Sequence, residues 1–154
     1  MEIGIIVYSK TGNTYSVAEK LQKKLKADGH SVELGEVKPV GDVKPDIKNI
    51  TFENKPDIDT YDAVIFGSPV HAFSLAPAMK EYLNQIQSLE GKKVACYVTK
   101  GLPFKSTGGK QAISQMTEII QSKGGNILGT DILVWKGGKL ENIIKLVDKL
   151  SALF

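Results

Sequence analysis

The stretch IVYSKTGNTYSVAEKL, residues 6–21, contains an abrupt change of chemistry. A continuous apolar run ends at Tyr8, a group of small hydroxyl, amide and glycine residues follows, and an amphipathic pattern begins after Thr14. This order predicts a strand, a tight loop and a helix. No Asp or Glu stands at the start of that helix, although the unpaired N–H groups of a helix N-terminus favour negative charge. The loop therefore predicts a site for an anion that comes from outside the chain.

The composition is typical of one soluble domain, since the 154 residues are 42% hydrophobic and 24% charged. We expect residues 1–154 to form a single domain. The net charge of +3 is small and the lysines are scattered, so we expect no nucleic-acid partner. The apolar run at residues 3–8 is too short to cross a membrane, which favours a cytoplasmic protein without a membrane span. The single cysteine, Cys96, excludes an internal disulfide and lies in an apolar run typical of a core.

Strand and helix patterns alternate along the chain. Strands are predicted at residues 3–8, 32–37, 63–67, 94–98 and 127–134. Helices are predicted around four apolar sets: Val17, Leu21 and Leu25; Met79, Leu83 and Ile86; Ile113, Met116 and Ile120; Ile143, Val147 and Leu150. This alternation predicts a three-layer α/β fold, in which helices cover both faces of a five-stranded parallel sheet.

The second strand is expected at an edge of the sheet, because residues 32–37 mostly alternate between apolar and polar. The three strands with the most apolar sequences are expected at the centre of the sheet, and this fits the strand order 2-1-3-4-5. One link breaks the alternation. Residues 38–60 contain three prolines and no sustained helical period, which predicts a long irregular connection.

Three loops are expected at the point where this strand order reverses, which is where such sheets bind ligands. They are residues 9–14 (SKTGNT), 68–73 (SPVHAF) and 99–104 (TKGLPF). The first loop offers hydroxyl, amide and backbone donors, together with a glycine that allows close approach, and so predicts a phosphate site. The alternative is that Thr11, Asn13 or Thr14 only caps the helix. One cap needs one such residue, and the loop contains several.

The sequence around these loops resembles that of the flavodoxin family. The sequence YSKTGNT after the first strand is similar to the family's flavin mononucleotide (FMN) phosphate loop, and YDAVIFGSPVHAFSLAPAMKEYL, from Tyr61, is similar to its third strand and flavin loop. The likeness extends over nearly the whole chain and implies a flavodoxin-like fold with FMN as cofactor. The implied FMN-binding residues are Ser9, Lys10, Thr11, Gly12, Asn13, Thr14, Ser68, Pro69, Val70, His71, Ala72, Phe73, Thr99, Lys100, Gly101 and Phe104.

The chain departs from the family's pattern in the aromatic residues expected against the flavin ring. Flavodoxins commonly place Trp and Tyr there, whereas this chain offers His71, Phe73 and Phe104. We expect Trp135 to lie away from the pocket, because it follows the fifth strand. Two roles stay open for His71, a polar surface or capping residue and a contact to the flavin ring. The loop at residues 68–73 also lacks glycine, so a positive φ there would carry strain of about 1–3 kcal/mol.

Charge is a second departure, because the loops expected near the ring contain Lys100 and Lys105 but no acidic residue. Two functions remain open. The resemblance implies an electron carrier that exchanges electrons with redox partner proteins, as a monomer or weak dimer. The alternative is an FMN-dependent oxidoreductase that passes two electrons from NAD(P)H to a quinone or a similar acceptor. No catalytic residue and no metal ligand is assigned.

Overall fold

The computed structural model describes residues 1–41, 43, 50–101, 108–135 and 139–154. The strands are β1 (Glu2–Val7), β2 (Ser31–Glu36), β3 (Lys38–Pro39), β4 (Phe52–Asn54), β5 (Ala63–His71), β6 (Ser74–Leu75), β7 (Lys93–Lys100) and β8 (Asn126–Val134). The helices are α1 (Asn13–Ala27), α2 (Pro77–Gln85), α3 (Gly109–Ser122) and α4 (Lys139–Ser151). Within the described ranges, no helix combines the length and the hydropathy that a membrane crossing requires.

Five strands form one parallel sheet in the order β2-β1-β5-β7-β8. Ile5 lies beside Leu34 of β2 and Ile65 of β5, and Ile65 lies beside Ala95 of β7. When only the strands of this sheet are numbered along the chain, their order is 2-1-3-4-5, as predicted, with the second strand at an edge. The sequence prediction of a three-layer α/β fold is confirmed.

The core has two halves, one on each face of the sheet. On β1, Ile3 and Ile5 pack against α1 and α4, whereas Ile6 packs against the side of α2 and α3. Residues on β5 and β7 alternate in the same way, because successive side chains of a strand point to opposite faces. Cys96 is fully buried in the second half, and burial raises the pKa of its thiol, so it is a core residue as expected.

Two parts of the chain contain strand where the sequence predicts none. The connection at residues 38–60 holds a short antiparallel pair, in which β3 pairs with β4. The third strand also continues past residue 67, because Ser68 and Pro69 pair with Val98 and Thr99 of β7. It then turns back, and β6 pairs antiparallel with the end of β5. The predicted loop at residues 68–73 is therefore mostly a β-hairpin.

Candidate functional site

A cavity of about 200 Å³ lies at the carboxyl edge of the sheet, where β1, β5 and β7 end. Its lining residues are Thr11, Asn13, Pro69, Val70, His71, Thr99, Lys100, Gly101 and Trp135. All three predicted loops contribute to it. Of the other predicted residues, Ser9, Lys10, Gly12, Thr14, Ser68, Ala72 and Phe73 lie outside the lining, and Phe104 and Lys105 lie outside the described residues.

The loop after β1 has an organised turn at the start of α1. The Ser9 hydroxyl oxygen accepts hydrogen bonds from the N–H groups of Gly12, at 3.1 Å, and Tyr15, at 3.3 Å. Gly12 has a φ of 91°, in the left-handed region that glycine adopts at low cost. The Ser9 side chain thus accepts hydrogen bonds from the first turn of α1, whose N-cap position is Gly12. Its own hydroxyl proton remains available to a ligand.

Three backbone donors of this loop have no acceptor. In the described part of the chain, the N–H groups of Thr11, Asn13 and Thr14 donate to no protein atom. Thr14 is only 1% exposed, so bulk water does not solvate its N–H group well. Because an unpaired buried N–H is costly, this arrangement fits an acceptor supplied by a ligand. No acidic side chain in the first turn competes for the site.

Thr14 also joins this loop to β7. Its hydroxyl lies 2.9 Å from the Thr99 hydroxyl, and its carbonyl accepts a 2.8 Å hydrogen bond from Tyr97. Burial raises the pKa of the Tyr97 phenol, which therefore stays a donor. The Tyr97 ring packs on Gly67, where a Cβ atom would meet ring atoms at 2.4 Å. The Thr14 hydroxyl is therefore in contact with Thr99, while its implied contact with phosphate stays a prediction, and Tyr97 is a core residue as expected.

The β5–β6 hairpin forms a second wall of the cavity. Its two tip residues, Ala72 and Phe73, have φ values of 48° and 63°, which is the pattern of a type I′ turn without glycine. The positive φ predicted to be strained therefore occurs, and it falls on the tip. Ser68 is fully buried and its hydroxyl donates to the Pro69 carbonyl at 3.0 Å, which explains why it does not line the cavity.

His71 lies at the end of β5, half-buried in the cavity wall. Its ring meets the Tyr8 ring edge-on, with centroids 6.0 Å apart. Burial lowers the pKa of His71, and the positive charge of Lys10 lowers it further. Lys10 itself is exposed. The imidazole is therefore neutral at pH 7 and offers one donor and one acceptor to a ligand.

Trp135 belongs to the site, which corrects the prediction that it lies away from the pocket. Val134, the last residue of β8, is in register with Lys100 of β7, and the Trp135 N–H donates to the Lys100 carbonyl at 2.7 Å. The chain beyond β8 therefore emerges directly beside the end of β7. The signal that points to this residue is a tryptophan immediately after the carboxyl end of a parallel strand.

A larger cavity of about 320 Å³ lies between α2 and the connection before β5, near Asp57, Ile58 and Gln85. It sits at the amino edge of the sheet, away from the loops after β1, β5 and β7. The smaller cavity is the better candidate, because the unpaired N–H groups and the aromatic residues converge there.

Residues 4–127 match the family model described as a flavodoxin domain. The chain belongs to the flavodoxin family. A flavodoxin from Clostridium saccharobutylicum is 26% identical over 140 residues, which is 90% of this chain and 74% of that protein. An NAD(P)H dehydrogenase (quinone) from Archaeoglobus fulgidus is 27% identical over 126 residues, or 70% of this chain. The match spans only 64% of the archaeal protein's length.

The fold of a solved flavoprotein agrees with this membership. The structure of a flavoprotein in complex with FMN from Lactobacillus acidophilus aligns with a TM-score of 0.65 and 26% identity. The alignment covers 85% of this chain and 92% of that one. This chain is therefore similar both to a protein named flavodoxin and to one named NAD(P)H dehydrogenase (quinone), and the two names do not decide its role.

Proposed function

We propose that this protein binds FMN at the carboxyl edge of its sheet and carries electrons between redox proteins. The observation that carries the proposal is the set of unpaired N–H groups at Thr11, Asn13 and Thr14, of which Thr11 and Asn13 line a cavity that His71 and Trp135 also line. The FMN complex of the Lactobacillus acidophilus flavoprotein supports the choice of cofactor. Residues 1–154 are proposed to act as one domain.

The phosphate of FMN would be held by backbone N–H groups, with the Ser9 and Thr11 hydroxyls and the Asn13 amide as further donors. Such donors need no lysine, which agrees with the exposed position of Lys10. When bound, FMN supplies the redox chemistry. The β5–β6 hairpin, the end of β7 and Trp135 would hold the flavin, and His71 would contribute a neutral polar group to that wall.

The extent of the two matches favours the carrier over the enzyme. The similarity to the flavodoxin covers 90% of this chain and 74% of that protein, whereas the similarity to the dehydrogenase covers 70% of this chain and 64% of that protein. The second candidate is an NAD(P)H-dependent quinone reductase, and the similarity to the archaeal dehydrogenase is the observation that favours it.

An anaerobic redox titration of the FMN-loaded protein, followed by visible absorbance, tests the choice. A carrier is expected to take up its two electrons in separate steps with different midpoint potentials. It is also expected to consume NADH and NADPH, in the presence of menadione, no faster than free FMN does. A single two-electron step together with rapid, saturable NAD(P)H oxidation would assign the quinone reductase instead.

A further inference from the structure

The carboxyl edge of the sheet is basic in both sequence and structure. Lys10 follows β1, Lys100 ends β7, Lys110 lies in the first turn of α3, and Lys139 begins α4. The Lys139 ammonium sits 4.0 Å from the centroid of the Trp135 ring, and Trp135 lines the cavity. Lys10, Lys110 and Lys139 are exposed and take part in none of the ion pairs found among the described residues.

Acidic residues are absent from the described segments that flank the cavity. The chain has 17 Asp and Glu residues, but none falls within residues 8–18, 68–80, 99–101, 108–117, 132–135 or 139–140. The carboxyl end of β2 does contain a carboxylate, that of Glu36, which lies 3.9 Å from the Lys38 ammonium. Glu141, in the first turn of α4, lies 3.5 Å from Lys145 and so is partly neutralised. Carboxylates instead occur near the amino edge, as at Asp57, Asp59 and Asp62.

The tip of the β5–β6 hairpin adds an apolar centre to this basic edge. Phe73 is 62% exposed, so most of its apolar ring is in contact with solvent. The tip is held in place from below by α3. A Cβ atom on Gly108 would meet the Phe73 carbonyl at 2.3 Å, and the Gln115 side chain accepts the Leu75 N–H at 2.8 Å. The phenyl ring is therefore presented to solvent on a fixed backbone.

We propose that this edge is a docking surface for a redox protein whose own contact surface is acidic. The inference rests on the proposed carrier function and names the class of partner. Exposed aromatic residues are common at the centre of protein interfaces, and a surrounding ring of like charge steers partners of opposite charge. Lys10 follows β1 near His71, Lys110 lies in the first turn of α3, and Lys139 lies over Trp135 of the cavity. These three lysines and Phe73 are called the basic edge.

Oxidation of the reduced holoprotein by ferricyanide tests the charge at the electron-exchange site. Each ferricyanide ion takes one electron and becomes ferrocyanide, and the rate is measured by stopped flow from 10 mM to 0.5 M ionic strength. Salt should lower the wild-type rate constant about fivefold, because the Debye length shrinks from about 30 Å to a few Å. The triple variant Lys10→Gln/Lys110→Gln/Lys139→Gln should lose most of this dependence.

The matched control is Lys23→Gln/Lys26→Gln/Lys93→Gln, which removes three exposed charges from the later part of α1 and the start of β7. It should keep a salt dependence close to that of the wild type. An equal loss in both triple variants would show that net charge alone acts, and would overturn the proposal. A rate constant that rises with salt would do the same.

A second measurement does not depend on FMN. Hexacyanochromate(III), a paramagnetic trianion, should broaden the amide signals of residues 10–12, 72–73, 109–110 and 139 before those of the amino edge. Uniform broadening, or broadening centred on residues 23–26 and 93, would contradict the basic edge.

The two proposals can fail separately. If the protein does not bind FMN, its absorbance spectrum refutes the carrier function, while the pattern of amide broadening still decides the charge of the surface. Binding of a 20-base-pair DNA duplex to the same amides at 0.15 M salt would assign the edge to nucleic acid and overturn the proposal.

Discussion

Thr14 is the residue on which the candidate site and the fold depend together. Its N–H faces no protein acceptor, its carbonyl accepts the Tyr97 hydroxyl, and its own hydroxyl contacts Thr99. A buried strand thereby fixes the first turn of α1. The position of the proposed phosphate site therefore depends on β7 as well as on the loop that contains it.

Tyr97→Phe should lower the free energy of unfolding by about 1–2 kcal/mol, because the Thr14 carbonyl loses a buried donor while the ring is kept. Urea unfolding of the wild type and the variant measures this. Tyr15→Phe is the matched control, since the half-buried Tyr15 hydroxyl makes no hydrogen bond to the described residues. Equal effects of the two substitutions would mean that the Tyr97 hydroxyl does not fix α1.

His71 should make stability depend on pH in a defined direction. Burial and then Lys10 lower the pKa of His71 in the folded protein. The unfolded chain therefore binds a proton at higher pH than the folded one does, and stability falls as pH drops below about 6.5. His71→Gln should flatten this decline between pH 7 and 5.

The pKa of His71 can be followed directly by NMR of the imidazole protons. It should lie below the value of an ordinary histidine and should rise in Lys10→Gln, which removes the second cause of the shift. A value above the ordinary one, or no response to Lys10→Gln, would place Lys10 and His71 in different environments from those described.

At the scale of secondary-structure elements, the β5–β6 hairpin could not be predicted from the local sequence. The run from Ser68 to Phe73 contains Pro69 and has no Asn-Gly or Asp-Gly pair, so nothing local signals a hairpin. The strand is extended by its pairing with β7, which is a tertiary effect. The prediction that Trp135 lies away from the pocket was wrong for a related reason, because the position of Trp135 depends on the register of β8 against β7.

Ala72→Gly should stabilise the protein by about 0.5–1 kcal/mol, because Ala72 has a positive φ that glycine adopts without a Cβ clash. This corresponds to a rise in Tm of about 1–4 °C for a chain of this size. Ala27→Gly, at the end of α1, is the control and should destabilise by a similar amount, since glycine lowers helix propensity. A drop in Tm for Ala72→Gly would mean that the hairpin tip is unstrained.

At the scale of the whole molecule, the architecture was predictable and one connection was not. The strand order could be predicted because the central strands are apolar on both faces, whereas the second strand alternates between apolar and polar residues. The helices could be predicted because apolar residues recur at helical spacing on the face that is buried. In contrast, β3 and β4 are two and three residues long, too short to produce a period. The turn before α1 was predictable, since its small polar residues precede a helix with no acidic first turn, and its role as a phosphate site stays a prediction.

The central claim is that the start of α1 holds the phosphate of FMN, and flavin binding to the apoprotein tests it most directly. Quenching of flavin fluorescence gives the Kd of FMN and of riboflavin, which is the same ring system without the phosphate. Charge-assisted hydrogen bonds contribute about 1.5–3 kcal/mol each. FMN should therefore bind about a thousandfold more tightly than riboflavin, and Thr11→Ala should weaken FMN while leaving riboflavin unchanged. Equal affinity of the wild type for the two flavins would contradict the account.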